Sequence, residues 1–470
     1  MSQPLTAILI GAGDRGAQSY APYALAHPNE LRFVGVAEPN PARRERFAAA
    51  HAIPPEKQYP TWQDLLARGQ IAELAVIATM DSLHTFPCLA ALAEGYDVLL
   101  EKPMATTLED CVGLVQAAER AGRILQICHV LRYSPFFEEL HQIIESGRLG
   151  KIVSFEQREN VVYWHMAHSY VRGHWRNSQL EAPMILAKCC HDLDILYWNL
   201  GPLARLSSFG SLRHFRPENA PPGAPARCTD GCPAAESCPW YAPRLYVQRT
   251  PLYHVVRHSS LGFVRLGATL LLDYPGLAQA LKRLIPPFAA AVDYRGWPLS
   301  TISEDTSPES LQRALEEGPW GRCVYHCDNN VVDHQVVNLE FESGVSGALV
   351  MQGHSHLDCR TLRYDGTRAT LRGVFASGMN DSIEIHDHLT GKVERIHLRP
   401  ILGRHGGGDD ALVSGFLRAV RGEARALTSA RASLESHLMA FAAEQARLEG
   451  SVIDMAEFRR NAERPGQDDA

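Results

Sequence analysis

The sequence predicts an α/β N-terminal Rossmann domain with a doubly wound parallel sheet, followed by an α+β C-terminal domain with a large, open, mainly antiparallel sheet. Three observations carry this. Short apolar runs alternate with helix-length segments up to residue 128. The first run ends in a glycine-rich turn. Beyond residue 150, strand-like runs follow one another through short turns instead.

Leu5–Ile10 and Arg32–Ala37 open the parallel series, and Leu74–Thr79, Tyr96–Leu100 and Ile124–Ile127 continue it. Ser82–Glu94 reads as a helix stopped by Gly95, a residue that tolerates positive φ. Thr106 and Glu109 have capping-box spacing for a helix running to Ala121. The domain boundary is placed at 128/129. Beyond it, strand-like stretches occur at Lys151–Asn160, Arg205–Phe209, His334–Glu342, Gly347–Gly353 and Thr361–Phe375. Ser382–His386 and Val393–Leu398 flank a hairpin turn at Leu389-Thr390-Gly391-Lys392. Asp409–Arg421 and Ala430–Glu449 have helical periodicity, and the last stretch is polar. Residues of about 213–325 are rich in proline, arginine and cysteine and read as a long insertion or lid.

With 470 residues, 45% hydrophobic, the chain can bury a large core. A net charge of −7 gives no reason to expect nucleic acid or an acidic membrane surface as partner. The start MSQPLTAILIGAG lacks the features of a secretory signal, and the most apolar stretch, near Leu266–Ala291, is interrupted by Asp273, Lys282 and Arg283. A cytoplasmic location is the default expectation.

Gly11-Ala12-Gly13-Asp14-Arg15-Gly16 matches the dinucleotide turn, and it follows a strand and opens a helix. Gly11 permits the tight turn, Gly13 lets backbone approach a pyrophosphate, and Gly16 lets helix and strand pack closely. Glu38 ends the second strand 22 residues after Gly16, where a carboxylate binds ribose hydroxyls and repels a 2′-phosphate. NAD is therefore the expected cofactor. Arg43 and Arg44, close by, leave NADP open. Glu101-Lys102-Pro103 closes another parallel strand, which aims Lys102 at the ligand crevice.

These signals, in order, resemble the Gfo/Idh/MocA family (glucose–fructose oxidoreductase, inositol dehydrogenase, rhizopine catabolism). Ala78-Thr79 with His84, Gly95 through Pro103, Arg132-Tyr133-Ser134-Pro135, Gly150-Lys151-Ile152, Trp175-Arg176 and His191 with Asp194 continue the match, with weaker signals at Asp365-Gly366-Thr367 and Gly406 through Asp409. The resemblance implies a nicotinamide-dependent dehydrogenase of a sugar, polyol or glycoside, with Lys102 and His191 flanking the reacting carbinol. It implies cofactor contacts from Gly11, Gly13, Asp14, Arg15, Gly16, Glu38, Thr79, His84, Glu101, Lys102, His129, Trp175 and Arg176. It also implies a homo-oligomer, dimer or tetramer, through the exposed face of the C-terminal sheet. An imidazole titrating near ~6.5 suits proton removal from a hydroxyl, and a lysine ammonium suits a developing alkoxide.

One position departs from the family pattern. Many relatives have an aspartate four residues before the histidine, where this chain has Ala187 beside Lys188. Lys188 reads either as a substrate-hydroxyl ligand or as a salt-bridge partner. Asp194 is expected to orient His191 or to accept a structural hydrogen bond. The substrate wall is placed in the aromatic, donor-rich stretch Tyr163–Arg176, with Tyr163, His165, His168 and Arg172 beside Lys102, Lys188, His191 and Asp194. Its histidines lack neighbouring paired carboxylates and read as substrate contacts in preference to metal ligands.

Cys228, Cys232 and Cys238 resemble half of a structural zinc or iron–sulfur site, with Cys323, His326 or Cys327 as a fourth ligand. The knuckle spacing C-x-x-C is absent, so free thiols are the simpler reading and zinc the alternative. Two other functions compete with the dehydrogenase. One is redox-assisted glycoside cleavage with recycled NAD; the other is a regulator that binds NAD without turnover, against which the retention of Lys102 and His191 argues.

Overall fold

The structure, a computed structural model, describes residues 3–259, 261–282, 284–285, 293–377, 380–398 and 404–463. Strands β1 (Leu5–Ile10), β2 (Leu31–Ala37), β3 (Gln58–Tyr59), β4 (Leu74–Ile77), β5 (Asp97–Leu100) and β6 (Leu125–Ile127) form one parallel sheet in the order β3-β2-β1-β4-β5-β6. Every residue of β4 and β6 is buried, as expected of strands covered on both faces. The strand order reverses between β1 and β4, so the turns after these two strands part and leave the crevice where such sheets bind ligands.

Helix ends follow local chemistry. Asn40 caps Pro41–Ala50 by accepting from the Arg43 amide, and proline starts that helix where no amide donor is missed. Gly95 adopts φ 91° after helix Thr85–Ala93, as its position predicted. The cap of helix Leu108–Ala121 is Thr107, which accepts from the Asp110 amide. The expected Thr106/Glu109 pair was therefore one residue out of register.

The second sheet has nine strands. They are β7 (Ile152–Val162), β8 (Leu203–Ser211), β9 (His334–Phe341), β10 (Ser346–Ser355), β11 (Cys359–Gly366), β12 (Ala369–Phe375), β13 (Ser382–Asp387), β14 (Val393–Ile396) and β15 (Val452–Asp454). Their order is β14-β13-β12-β11-β7-β10-β9-β8-β15, antiparallel except where β7 meets β10. The stretch Thr361–Phe375 is two strands, not one, because the chain reverses at Thr367-Arg368. Gly366 is required there, since a Cβ would sit 2.1 Å from the Leu149 carbonyl oxygen. The turn between β13 and β14 forms as expected, with Gly391 at φ 66°. The polar C-terminal stretch is helical over Met455–Glu463, and residues 464–470 lie outside the described residues.

Helix Ala430–Glu449 packs against β8, against helix Cys190–Leu200 and against helix Leu108–Ala121. Just before it, the Thr428 hydroxyl donates to the Ile127 carbonyl and the Ile127 amide donates to Thr428. The chain's C-terminal part thus returns to the edge of the parallel sheet and fixes its carboxyl end against the second sheet. Between β8 and β9 the segment expected to be an insertion is largely helical. Its Ala242, Leu245, Tyr246, Leu299, Leu311, Leu315 and Trp320 form a separate small core with Val162 and Trp164. Among the described residues no helix is long and apolar enough to cross a membrane.

Candidate active site

The glycine turn has the shape the motif demands. Gly11 lies at φ 91°, and a Cβ there would stand 2.6 Å from the Ala78 carbonyl oxygen. A Cβ on Gly16 would stand 2.2 Å from the Gly11 oxygen, whereas one on Gly13 would meet nothing within 4 Å. The turn is therefore closed on the sheet side and open at Gly13, the space a pyrophosphate needs to reach backbone amides. Glu38 is aimed by two amides: Ala12 donates to Oε2 at 2.8 Å and Asn40 to Oε1 at 2.9 Å. Each carboxylate oxygen retains a lone pair for a ribose hydroxyl. These residues fit a dinucleotide.

Arg15 and Glu101 form the floor of this crevice and are not free to grip a phosphate. They are paired with each other, the Tyr20 hydroxyl donates to Glu101 at 2.8 Å, and Arg15 Nη2 reaches Asp409 Oδ1 at 3.0 Å. Burial opposes the Glu101 charge, but Arg15 and Lys102 outweigh it and hold the carboxyl below its usual range. Two other residues expected to touch the cofactor are fully enclosed by protein. His84 bridges two loops, with Nδ1 2.8 Å from the Pro103 oxygen and Nε2 3.3 Å from the Thr79 oxygen. His129 lies inside, its ring 5.5 Å from that of His191 and 5.7 Å from that of His437. Burial, with Arg132 and Lys102 nearby, drives the His129 pKa well down, so it stands neutral behind His191. Both histidines hold neighbouring protein groups from inside the fold.

Lys102 leaves the end of β5 and donates from Nζ to the Ala187 carbonyl at 2.9 Å. Ala187 ends the short helix Met184–Ala187, and His191 lies in the first turn of the next, Cys190–Leu200, four residues on. The hydrogen bond therefore brings the lysine to the segment that carries the histidine. Where many relatives of the family resembled have an aspartate side chain, this chain presents a main-chain oxygen.

Lys188 meets a carboxylate, as one of its two readings required. Its Nζ lies 3.1 Å from Glu159 Oε1. Burial works against the ammonium charge, and Glu159 and Asp358 overcome it, so Lys188 is held above its ordinary value. Arg360 spans Glu159 at 2.8 Å and Asp192 at 3.0 Å, in the cross-strand register that pairs β11 with β7. Asp358 accepts from the Val162 amide at 2.7 Å and meets His165 Nδ1 at 2.9 Å. Lys188 thus belongs to the Glu159–Arg360–Asp192 group, the charge of the His165–Asp358 pair acts on it, and Tyr163 is half-buried against the insertion's small core.

Three residues expected at the substrate wall are engaged by protein groups. Asp194 is buried in a two-point pair with Arg132, at 2.7 and 2.6 Å, the structural hydrogen bonding that was one of its two readings. His168 gives Nδ1 to a 2.8 Å hydrogen bond with the Tyr246 hydroxyl. Arg172 donates to the Arg322 and Trp240 carbonyls, each at 2.7 Å. The insertion covers His168 and Arg172, so they anchor it and are shut off from the crevice. Among the described residues no three His, Cys, Asp or Glu side chains are arranged to hold a metal ion. The buried Arg172 guanidinium points at Cys228 Sγ from 3.5 Å, a place where a metal cation would be repelled.

Trp175 and Arg176 work at the seam between the two sheets. Trp175 Nε1 donates to Asp81 Oδ2 at 2.8 Å, and Arg176 pairs at 2.8 Å with Asp328, just past the insertion. Asp81 escaped the sequence reading, although it lies at the carboxyl end of β4 between two residues that were singled out, Thr79 and His84. Burial pushes its carboxyl up to about 6 against the pull of Lys102. Folding thus raises this pKa above the ordinary 3.8, so its stabilising contribution is full below about pH 4 and is lost as pH rises through about 6. Asp81→Asn, which keeps an oxygen for Trp175, is expected to stabilise the NAD-free protein by about 3 kcal/mol at pH 8 and to change nothing at pH 4. Urea melts at both pH values check this. An equal gain at both would mean that Asp81 ionises normally.

Residues 5–129 match the model of the oxidoreductase family with an NAD-binding Rossmann fold, GFO_IDH_MocA. An inositol 2-dehydrogenase from Saccharopolyspora erythraea is 33% identical over 131 residues, which cover 27% of this chain and 35% of that protein. Another, from Burkholderia multivorans, is 27% identical over 195 residues, covering 41% and 53%. The chain spans about a third to a half of the length of these curated relatives. An oxidoreductase from Agrobacterium radiobacter, solved with NAD+, L-tartaric acid and magnesium, superposes with a TM-score of 0.64 at 14% identity over 97% of this chain and 99% of that one. A levoglucosan dehydrogenase solved with NADH and levoglucosan gives 0.64 at 16% identity, over 96% and 100%. The glycine turn and the Glu38 cradle lie within the matched residues, so residues 5–129 have the NAD-binding Rossmann fold of the Gfo/Idh/MocA oxidoreductases, which the chain resembles in fold over nearly its whole length.

Proposed function

We propose that the protein is an NAD-dependent dehydrogenase that moves hydride between a carbinol carbon of a sugar, polyol or glycoside and nicotinamide. One observation carries the reading: the Lys102 amine is held by Ala187 O beside the helix whose first turn carries His191, at the carboxyl ends of the parallel strands. Bound NAD supplies the acceptor for the hydride. His191 takes the hydroxyl proton as the C–H bond breaks, and the Lys102 ammonium stabilises the negative charge growing on oxygen. Neutral His129 supports the His191 ring edge-on without adding a competing charge. Tyr163, His165 and Lys188 offer ring surface and donors to the remaining hydroxyls, and the sugar-type ligands named for several relatives support that substrate class. The same reading includes a homo-oligomer formed through the open face of the nine-stranded sheet.

The test incubates the protein with NAD+ and a panel of sugars, polyols and aryl glycosides, following reduced cofactor and released aglycone together. Reduced cofactor in proportion to oxidised substrate, without cleavage, is the expected result. Aglycone release without net reduction would replace it by redox-assisted glycoside cleavage, and binding of NAD+ with neither would leave a regulator.

A further inference from the structure

The helix after Glu38 carries three arginines, and the nearest two are the natural receivers of a 2′-phosphate. Neither is available. Arg44 Nη1 donates to the Glu38 carbonyl at 2.5 Å. Arg43 Nε lies 2.6 Å from Glu304 Oε1, and Glu304 Oε2 lies 2.5 Å from Arg46 Nη2. Glu304 is more than 250 residues away in sequence, within the insertion. It projects from a firm support. Leu299 of helix Leu299–Ile302 is fully buried in the insertion's small core. On the other side, Asp305 accepts from Ser307 and Ser310, and Ser307 caps helix Pro308–Glu317. A half-exposed ion pair contributes little to stability. A carboxylate fixed across two guanidinium groups still determines which anions can reach them.

We infer that Glu304 selects NAD over NADP: it occupies Arg43 and Arg46, and with Glu38 it sets a second negative charge where the extra phosphate of NADP would lie. This rests on the dinucleotide site at Gly11–Gly16. NAD binds without disturbing the Arg43–Glu304–Arg46 bridge, whereas NADP must break it and then sit between two carboxylates. Rejection of the wrong cofactor is thus built from a repulsive group as well as from Glu38's attraction for ribose. The insertion contributes it, so cofactor choice is set partly from outside the nucleotide-binding half of the chain.

Isothermal titration of wild type, Glu304→Gln, Arg43→Ala and the double variant with NAD+, NADP+ and 2′,5′-ADP tests this without turnover. Glu304→Gln is expected to tighten NADP+ and 2′,5′-ADP about tenfold, about 1.4 kcal/mol, and to leave NAD+ unchanged. The gain should shrink in high salt and be smaller in the Arg43→Ala/Glu304→Gln double variant, where Arg43 is no longer there to be freed. A ratio of NADP+ to NAD+ affinity that Glu304→Gln leaves unchanged overturns the inference. So does a gain that survives removal of Arg43 in full. Failure of the wild type to bind NAD+ at all would instead remove the dinucleotide site itself, and this selection with it.

Discussion

Replacing Lys102 by methionine is expected to lower kcat by about 10²–10⁴-fold while NAD+ binds almost as before. Methionine keeps the length and apolar stem of lysine, so the packing beside Ala187 survives and only the ammonium head is lost. The loss concerns charge that develops during the reaction, so kcat falls and the substrate's KM moves little. Rapid-mixing measurement of the first turnover, with titration of NAD+ alone, separates the two effects. A variant with normal turnover and weakened NAD+ binding would move Lys102 out of the chemistry and into the cofactor site. The hydrogen bond to Ala187 O is worth about 1 kcal/mol, too little to confuse the result with unfolding.

The largest loss of stability is expected at Asp194. Its carboxylate meets the Arg132 guanidinium at two points, and both side chains are almost wholly enclosed. Asp194→Ala leaves a guanidinium without its counter-ion in the interior, which costs about 3–5 kcal/mol. Replacing both partners, Arg132→Met with Asp194→Leu, should recover most of that, because the cost lies in the orphaned charge and not in the missing bond. Chemical melts of the two variants decide the matter. A double variant as unstable as Asp194→Ala would mean that the pair also organises packing, for instance through Trp198, which lies 5.3 Å from the Arg132 guanidinium.

The sequence reading was most accurate where one local interaction dictates one residue type. Gly11, Gly13 and Gly16 answer to backbone collisions within a few ångströms, and Glu38 to its place at a strand end, so both were legible. Asp194 and His191 sit three residues apart on one helix, and periodicity could not say that one faces the crevice and the other turns inward to Arg132. His168 and Arg172 carry the residue types of a sugar wall, but the insertion that buries them comes from 70 to 150 residues further on. Glu159 and Arg360 left a faint trace: in β7, Gln157 and Glu159 follow Phe155 on the buried face, alternating with exposed Glu156 and Arg158, so an internal charge there needs a partner. The partner's identity depended on strand register, which no local pattern encodes. Glu304 left no trace at all.

The bond between Lys102 and the Ala187 carbonyl has a consequence for how this site can change over generations. An acceptor supplied by a side chain is lost with a single codon change, and its loss shows in any comparison of sequences. A peptide oxygen is present whatever residue occupies the position, so position 187 can drift among small residues while the lysine keeps its anchor. Judged by identity alone, such a site looks decayed when its architecture is whole. What a change at position 187 leaves in place is the path of the main chain from Met184 to His191, so the lysine's anchor depends on the shape of the turn between two helices.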